Sequence, residues 1–362
     1  MDIPKKINWG IIGCGDVTEV KSGPAFKKVP NSDLVAVMRR DPAKAQDYAR
    51  RHNVPRWYDN ATDLINDPEV NAIYVATPPS SHEQYTLAAI DAGKPVYVEK
   101  PMAIDHAAAL RMARAADEKK VKLVVAHYRR EQPRFRKIKE LLAGNAIGQP
   151  LLVRLEYAKP PMSKEQLSDQ KANWRIVPSI SGGGLFHDLG THQLDLVTFL
   201  FGSVQKVTGV AVQQGQGYSA DDMVAASLLF PSGVVFTGSW CFNAPHNRDY
   251  CEIIGTKGTI GFSVFSTDSI TLHQVGNTTT IHTGNTTKTL HSGDTSKTLT
   301  FDPLLHVQQP MIEAVVRYFR GEGPNPDTGW EGAEIMRLME AIVSPPDARC
   351  NTTGQTPPPA AV

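Results

Sequence analysis

The chain has 362 residues, 41% of them hydrophobic and 21% charged, the composition of a soluble globular protein with room for about two domains. A formal charge of +1 marks neither a nucleic-acid face nor an acidic tail, and no apolar run approaches the roughly 18–20 residues of a membrane span. Four cysteines, Cys14, Cys241, Cys251 and Cys350, form no Cys-x-x-Cys pair, and Met1-Asp-Ile-Pro-Lys-Lys6 lacks an apolar leader, so a reducing cytoplasm is the expected setting.

Residues 7–12 read as the first strand, with Gly13-Cys-Gly15 directly after it. Two glycines there permit a tight turn and let a pyrophosphate approach the backbone at the start of the next helix. A plain glycine turn between strand and helix is the alternative. Thr18 occupies the third small position of that fingerprint, where it is expected to loosen the packing of helix on strand. The second strand, 33–38, ends in Arg39-Arg40. An acid at this point would hold ribose hydroxyls, whereas arginine suits a ribose 2′-phosphate and so favours NADP over NAD, a pair of solvated surface charges being the plainer alternative.

Helices are expected over 42–53 and 61–66, and a buried strand over 72–76. The loop Thr77-Pro-Pro-Ser-Ser-His82 can continue neither element, and Ser80 or Ser81 is placed to cap a helix over 82–92 that closes at Gly93. Lys94-Pro-Val-Tyr-Val-Glu-Lys-Pro-Met102 then holds a short buried strand that stops at an acid, a base and a proline. Ligands of an open parallel sheet gather just beyond the carboxyl ends of its strands. Glu99 and Lys100 are therefore expected to face a crevice, with Lys100 placed for proton transfer or carbonyl polarisation and Pro101 fixing the backbone. A helix over 105–120 and a last parallel strand over 121–126 complete the alternation, which predicts βαβ units in a doubly wound sheet.

After Arg134 the pattern changes. A helix over 135–142 and a strand over 151–158 precede a polar stretch, 160–170, expected to be a mobile loop. Alternating runs at 204–213, 223–230, 234–242, 250–254, 259–265 and 270–275 predict a mostly antiparallel sheet, one face covering the site and the other free to pair with a second subunit. The threonine-rich segment 277–300 is either a long hairpin or a flexible insert. Helices are expected over 305–319 and 330–343, and the proline- and threonine-rich tail, 344–362, is expected to be disordered.

A second constellation lies between. Ser181-Gly-Gly-Gly184 leads into a helix whose apolar positions are Leu189, Leu194, Leu196, Val197 and Leu200. Asp188 and His192, one turn apart, share a face of it. An imidazole can exchange a proton near neutral pH, and the carboxylate can orient that ring or hold a substrate hydroxyl. A packed or solvated histidine, or a His192–Asp195 capping or salt-bridge pair, is the plainer alternative. A metal reading of His187, Asp188, His192 and Asp195 lacks a recognised spacing, and no metal is expected. Arg175, in Asn173-Trp-Arg175, can clamp an anionic or polyhydroxy ligand or stand as a surface charge.

Gly13-Cys-Gly15, Thr77-Pro-Pro, Glu99-Lys100-Pro101 and Gly182-Gly-Gly-x-x-x-Asp188-x-x-x-His192-x-x-Asp195 occur in that order. Together they resemble the glucose–fructose oxidoreductase/inositol dehydrogenase (Gfo/Idh/MocA) family, from about residue 5 to residue 343. The resemblance implies an α/β architecture: an N-terminal Rossmann doubly wound parallel sheet and a C-terminal α+β domain with a large, mostly antiparallel open sheet, through which such chains often form oligomers. It also implies a nicotinamide cofactor and a sugar, polyol or related carbonyl substrate. Lys100, Asp188 and His192 match the family's catalytic lysine, aspartate and histidine, and Gly13 and Gly15 its pyrophosphate turn. Thr18 and the 277–300 insert depart from the usual pattern.

The expected organisation is a dinucleotide-binding domain over 1–126 and a substrate and oligomerisation domain over 127–343, in a homodimer or homotetramer. The expected function is hydride transfer between NADP, with NAD as second choice, and a sugar-like carbinol or carbonyl. Cofactor contacts are expected from Gly13, Gly15, Asp16, Val17, Arg39, Arg40, Thr77, Pro78, His82, Glu99 and Lys100, and substrate contacts from Tyr157, Trp174, Arg175, Asp188 and His192. A sensor that binds NADP(H) without turnover, and an enzyme with a tightly held cofactor, are the alternatives.

Overall fold

The computed structural model describes residues 4–169, 173–215, 217–283 and 286–343, with the backbone alone over 277–292. The tail 344–362 and Cys350 lie outside the described residues. Short β-branched runs form β1 (Ile7–Ile12), β2 (Ser32–Met38), β3 (Arg56–Tyr58), β4 (Ala72–Val75), β5 (Val96–Val98) and β6 (Leu123–Val125). They pair in parallel in the order β3-β2-β1-β4-β5-β6. Strands β4, β5 and β6 are buried at every residue, which is why their sequences do not alternate.

The second sheet contains β7 (Pro150–Ala158), β8 (Lys206–Val212), β9 (Met223–Leu229), β10 (Val235–Cys241), β11 (Arg248–Gly255), β12 (Gly258–Phe262) and β13 (Ser269–Gln274). It is mostly antiparallel, with one parallel pair between β7 and β10. Residues 277–300 divide between a hairpin, β14 (Asn277–Thr283) with β15 (Thr286–Ser292), and β16 (Thr295–Thr300), which adds to the edge of the sheet beside β13. Its order is thus β16-β13-β12-β11-β7-β10-β9-β8.

Two local expectations are corrected. The stretch over 160–170 contains a helical turn, Lys164–Ser168, closed by a capping box in which Ser163 Oγ accepts from Gln166 N and Gln166 Oε1 accepts from Ser163 N. Ser81 does stand at the N-cap of the helix His82–Asp91, but its hydroxyl turns back to Pro78 O at 3.2 Å and caps nothing.

On β7, Val153, Leu155 and Tyr157 are buried while Arg154 and Glu156 point outward, the period-2 pattern of a sheet with one covered face. The covered face packs beneath the helix Leu185–Phe201, where Phe186 stands 4.9 Å from Trp240 and Trp240 Nε1 donates to Gln193 Oε1 at 2.6 Å. The chain then returns to the first sheet. Met311, Ile312, Val315, Val316 and Phe319 of the helix Gln309–Phe319 are buried against an aromatic cluster in which Trp9 lies 4.8 Å from Phe26 and 5.6 Å from Phe319. Each such burial contributes roughly 1.5–3 kcal/mol. The helix Gly329–Val343 packs on the helix His106–Lys119 and on β6 of the first sheet and also on the helix Leu185–Phe201, and so links the two.

Candidate active site

The first sheet reverses its order between β1 and β4, the point at which the ligands of open parallel sheets gather. β1 runs into Gly13, whose φ of +94° suits glycine, and a Cβ there would lie 2.9 Å from the Thr77 amide nitrogen after β4. A Cβ on Gly15 would meet nothing nearer than 4.0 Å, so open space lies above the turn. Thr77 Oγ1 is buried without a hydrogen-bond partner among the described residues, and Asp16 and Val17 begin the short helix Asp16–Val20. A backbone turn with space above it and an orphaned hydroxyl beside it fits a dinucleotide pyrophosphate. Thr18 is fully buried, donates to Gly15 O at 2.8 Å and accepts from Tyr48 Oη at 2.8 Å through its carbonyl, so it ties the turn to its surroundings.

Arg39 Nη1 donates to Cys14 O at 3.1 Å, which places that guanidinium against the glycine turn, and Arg40 is exposed next to it. The acid that follows, Asp41, is engaged as a helix N-cap and accepts from Lys44 N at 3.2 Å. Pro78 leads from Thr77 into the turn Pro79–Ser81. The fully buried His82 has its ring nitrogens 2.7 Å from Thr77 O and 2.9 Å from Pro101 O, so it ties together the loops after β4 and β5.

Glu99 turns into the interior, not towards the crevice. Its Oε1 accepts from Tyr74 Oη and Gln308 Nε2, both at 2.6 Å, and its Oε2 accepts from Lys100 N at 3.1 Å. Lys100 points the other way, as expected from a strand end. Its Nζ donates to Asp188 Oδ1 at 2.8 Å and to Asp188 O at 2.9 Å, which leaves one ammonium N–H of three. The other carboxylate oxygen of Asp188 accepts from Arg175 Nε at 3.2 Å, and the Arg175 guanidinium stacks 4.4 Å over Trp174. Burial pushes the Asp188 carboxyl up, but Lys100 and Arg175 outweigh it and hold it below its ordinary range.

The shared helix face therefore does not pair Asp188 with His192; two cations take both carboxylate oxygens instead. His192 is buried, with Nδ1 unpartnered among the described residues. Burial first, then the positive charges of Lys100 and Arg129, push its pKa well below the usual imidazole value, so the ring is neutral at physiological pH. Its ring packs edge-on against Tyr128 at 5.1 Å and Phe265 at 5.9 Å, and Phe265 lies 5.2 Å from Tyr157. Lys100, Asp188, Arg175 and Trp174 thus gather on one side, and His192 with Tyr157 on the other. Tyr128, Arg129 and Phe265 line this second side and escaped the sequence reading. Tyr128 and Arg129 follow β6 immediately, so the strand-end rule applied to Lys100 also points to them.

Asp195 does not serve His192 either. It faces Arg130, which also meets Asp327 at 3.3 Å and Glu331 at 3.0 Å. His127 joins this buried group, with Nδ1 2.9 Å from Asp327 Oδ2 and Nε2 3.0 Å from Thr191 Oγ1. His127, Asp195 and Asp327 converge as metal ligands would, but the Arg130 guanidinium sits among the two carboxylates, which makes the cluster an ion-pair network.

His187 packs against Gly183, where a Cβ would lie 2.0 Å from the ring, and its Nδ1 has no partner among the described residues. Burial lowers its pKa to about 4. A histidine with a lowered folded-state pKa gives its full stability above the unfolded value, about 6.5, and loses it as pH falls towards the folded value. Replacing His187 with Phe is expected to remove about 3 kcal/mol of the stability lost between neutral and acid pH. Urea unfolding at the two pH values checks this; an unchanged acid loss in H187F would rule the assignment out.

Residues 7–127 match the oxidoreductase family with an NAD-binding Rossmann fold, and residues 135–261 match the GFO/IDH/MocA C-terminal domain. The chain is similar to Oxidoreductase P35 of Formosa agariphila, 44% identical over 93% of this chain and 98% of that protein. It is 30% identical to an inositol 2-dehydrogenase of Acidothermus cellulolyticus, over 73% of this chain and 74% of the relative. A solved levoglucosan dehydrogenase, in complex with NADH and levoglucosan, shares the fold with a TM-score of 0.79 at 22% identity, covering 93% of this chain and 96% of its own.

Proposed function

The chain belongs to the GFO/IDH/MocA oxidoreductase family, and on that premise we propose that it is an NADP(H)-dependent oxidoreductase acting on a sugar, polyol or related carbonyl compound. The observation that carries this reading is the Lys100 ammonium, held by Asp188 beside a buried neutral His192, at the strand ends next to the glycine turn. The nicotinamide would supply or accept the hydride. Gly13, Gly15, Asp16, Val17 and Thr77 would hold its pyrophosphate side, and Arg39 with Arg40 the ribose 2′-phosphate. Pro78, His82 and Glu99 would shape this cradle through the backbone.

During oxidation, His192 takes the substrate hydroxyl proton, for which a neutral ring is required. The free N–H of Lys100 bonds the same oxygen and stabilises the charge that develops on it. Asp188 fixes Lys100 and Arg175, while Trp174, Arg175 and Tyr157 bound the space for the remaining hydroxyls. The names of an inositol dehydrogenase among the relatives and of a levoglucosan dehydrogenase of the same fold support this substrate class.

The reading extends to a homodimer or homotetramer through the open face of the second sheet, where Arg154, Glu156, Val210 and Thr237 are exposed. It extends also to a reducing cytoplasm, on the scattered thiols. No described helix is long and apolar enough to cross a membrane. The test is reduction of NADP⁺, or oxidation of NADPH, across a panel of sugars, polyols and dicarbonyls. Turnover of at least one class supports the reading, and tight cofactor binding without turnover of any would favour a sensor.

The cofactor preference has its own test. Arg39→Asp is expected to shift the NADPH-to-NADH affinity ratio by roughly 10- to 100-fold towards NADH, the scale of a lost charge-assisted contact. Titration of both reduced cofactors by their fluorescence measures the ratio, and an unchanged ratio would remove Arg39 from the 2′-phosphate site.

A further inference from the structure

Three arginines on the segment after β6, Arg129, Arg130 and Arg134, are drawn inward, and two of them meet carboxylates. Arg130 faces Asp195, Asp327 and Glu331, and Arg134 Nη1 lies 3.0 Å from Asp268. Arg129 meets no carboxylate among the described residues. Its Nη1 donates to Val264 O at 2.6 Å, and its Nε is buried without a hydrogen-bond partner among the described residues. The guanidinium lies 4.4 Å from the Phe265 ring centre and 5.4 Å from that of Tyr128, the two rings that also pack on His192.

Asp249, the acid whose charge acts on Arg129, makes its own hydrogen bonds elsewhere. Its carboxylate accepts from the amides of Val264, Phe265 and Ser266 at 3.0, 2.6 and 2.9 Å, which makes the loop under Arg129 a rigid platform. A guanidinium desolvated without a counter-ion is unfavourable unless something anionic binds to it, and its planar edge suits carboxylate or phosphoryl oxygens. Around the site Lys100, Arg129 and Arg175 stand against Asp188 and the amide-bound Asp249, so the local balance is positive.

From this geometry we infer that the substrate is an anionic sugar derivative, its carboxylate or phosphate held by Arg129 while the reacting carbinol lies at His192 and Lys100. The inference rests on the oxidoreductase reading above and adds the charge of the substrate to it. Arg129 then selects among sugars: a neutral hexose fills the same space but leaves the guanidinium without its anion.

The test uses the NADP(H)-loaded protein with hexuronates, hexose phosphates and the parent neutral hexoses, following binding by calorimetry and turnover by nicotinamide absorbance. One anionic class is expected to exceed its neutral parent by about 10- to 100-fold in affinity and in kcat/KM. Arg129→Gln is expected to collapse that ratio and Arg129→Lys to keep part of it, with thermal unfolding confirming that both variants fold. Which anion gives the larger ratio identifies carboxylate or phosphate as the recognised group. Neutral hexoses handled as well as their acids, or a ratio unchanged in R129Q, would overturn this inference while leaving the oxidoreductase reading intact. Binding and turnover of neither class would overturn both.

Discussion

Lys100→Met is expected to lower kcat by roughly 10²- to 10³-fold, the effect of removing one hydrogen-bond donor from a developing oxyanion, or about 3–4 kcal/mol. The substitution keeps much of the side-chain volume and leaves Asp188 paired with Arg175 at 3.2 Å, so the site keeps its counter-ion. Affinity for the nicotinamide cofactor should change far less than kcat, because the Lys100 ammonium points to Asp188 and the glycine turn lies after a different strand. Steady-state kinetics with a turned-over substrate, next to cofactor titration, separates the two. A variant with undiminished kcat would remove Lys100 from the chemistry.

Arg130→Met is expected to have the largest effect on stability. It leaves Asp195 and Asp327, both fully buried, without the guanidinium that stands between them. Breaking a buried ion pair by removing one partner costs about 3–5 kcal/mol, and a fall in Tm of roughly 4–7 °C follows in a chain of this size. The pH dependence of the network differs in sign from that of His187. Burial pushes the His127 pKa down, but Asp195 and Asp327 outweigh it and raise the value. The stability His127 contributes is therefore full below about pH 6.5 and is lost as pH rises through the raised folded value. Thermal unfolding of R130M measures the first effect; a Tm within a degree of the parent would show that the network adds nothing to the fold.

The order of strands and helices was legible because buried parallel strands read as short apolar runs, and β1, β4 and β5 stop at a glycine or just before a turn that contains proline. Lys100 was legible for the same reason. The partner of Asp188 was not. Spacing along one helix pointed to His192, whereas the cations that bind Asp188 come from β5 and from the turn at Trp174–Ile176, and helix periodicity carries no signal for either. Glu99 shows the same limit, since its inward turn depends on Tyr74 and on Gln308, which arrives only when the chain returns to the first sheet. The edge strand Arg56–Tyr58 is too short for any period and forms by pairing with β2. The turn after Ser163 is different: Ser163-Lys-Glu-Gln166 is a capping-box sequence, and the polar composition around it obscured a readable signal. In the threonine-rich 277–300 segment, β-branched residues favour extended structure, but composition cannot tell a free hairpin from an added edge strand, and both occur.

The most direct test of the central claim is the fate of a labelled hydride. The protein is incubated with NADPH carrying deuterium at nicotinamide C4 and a set of keto sugars and dicarbonyls, and the products are examined by mass spectrometry and NMR. One deuterium is expected on the new carbinol carbon of an accepted substrate, and it is expected to disappear when Lys100 is replaced by Met. Deuterium that stays in the cofactor with every compound, while the protein binds NADPH tightly, would contradict hydride transfer and leave a cofactor-binding protein without turnover.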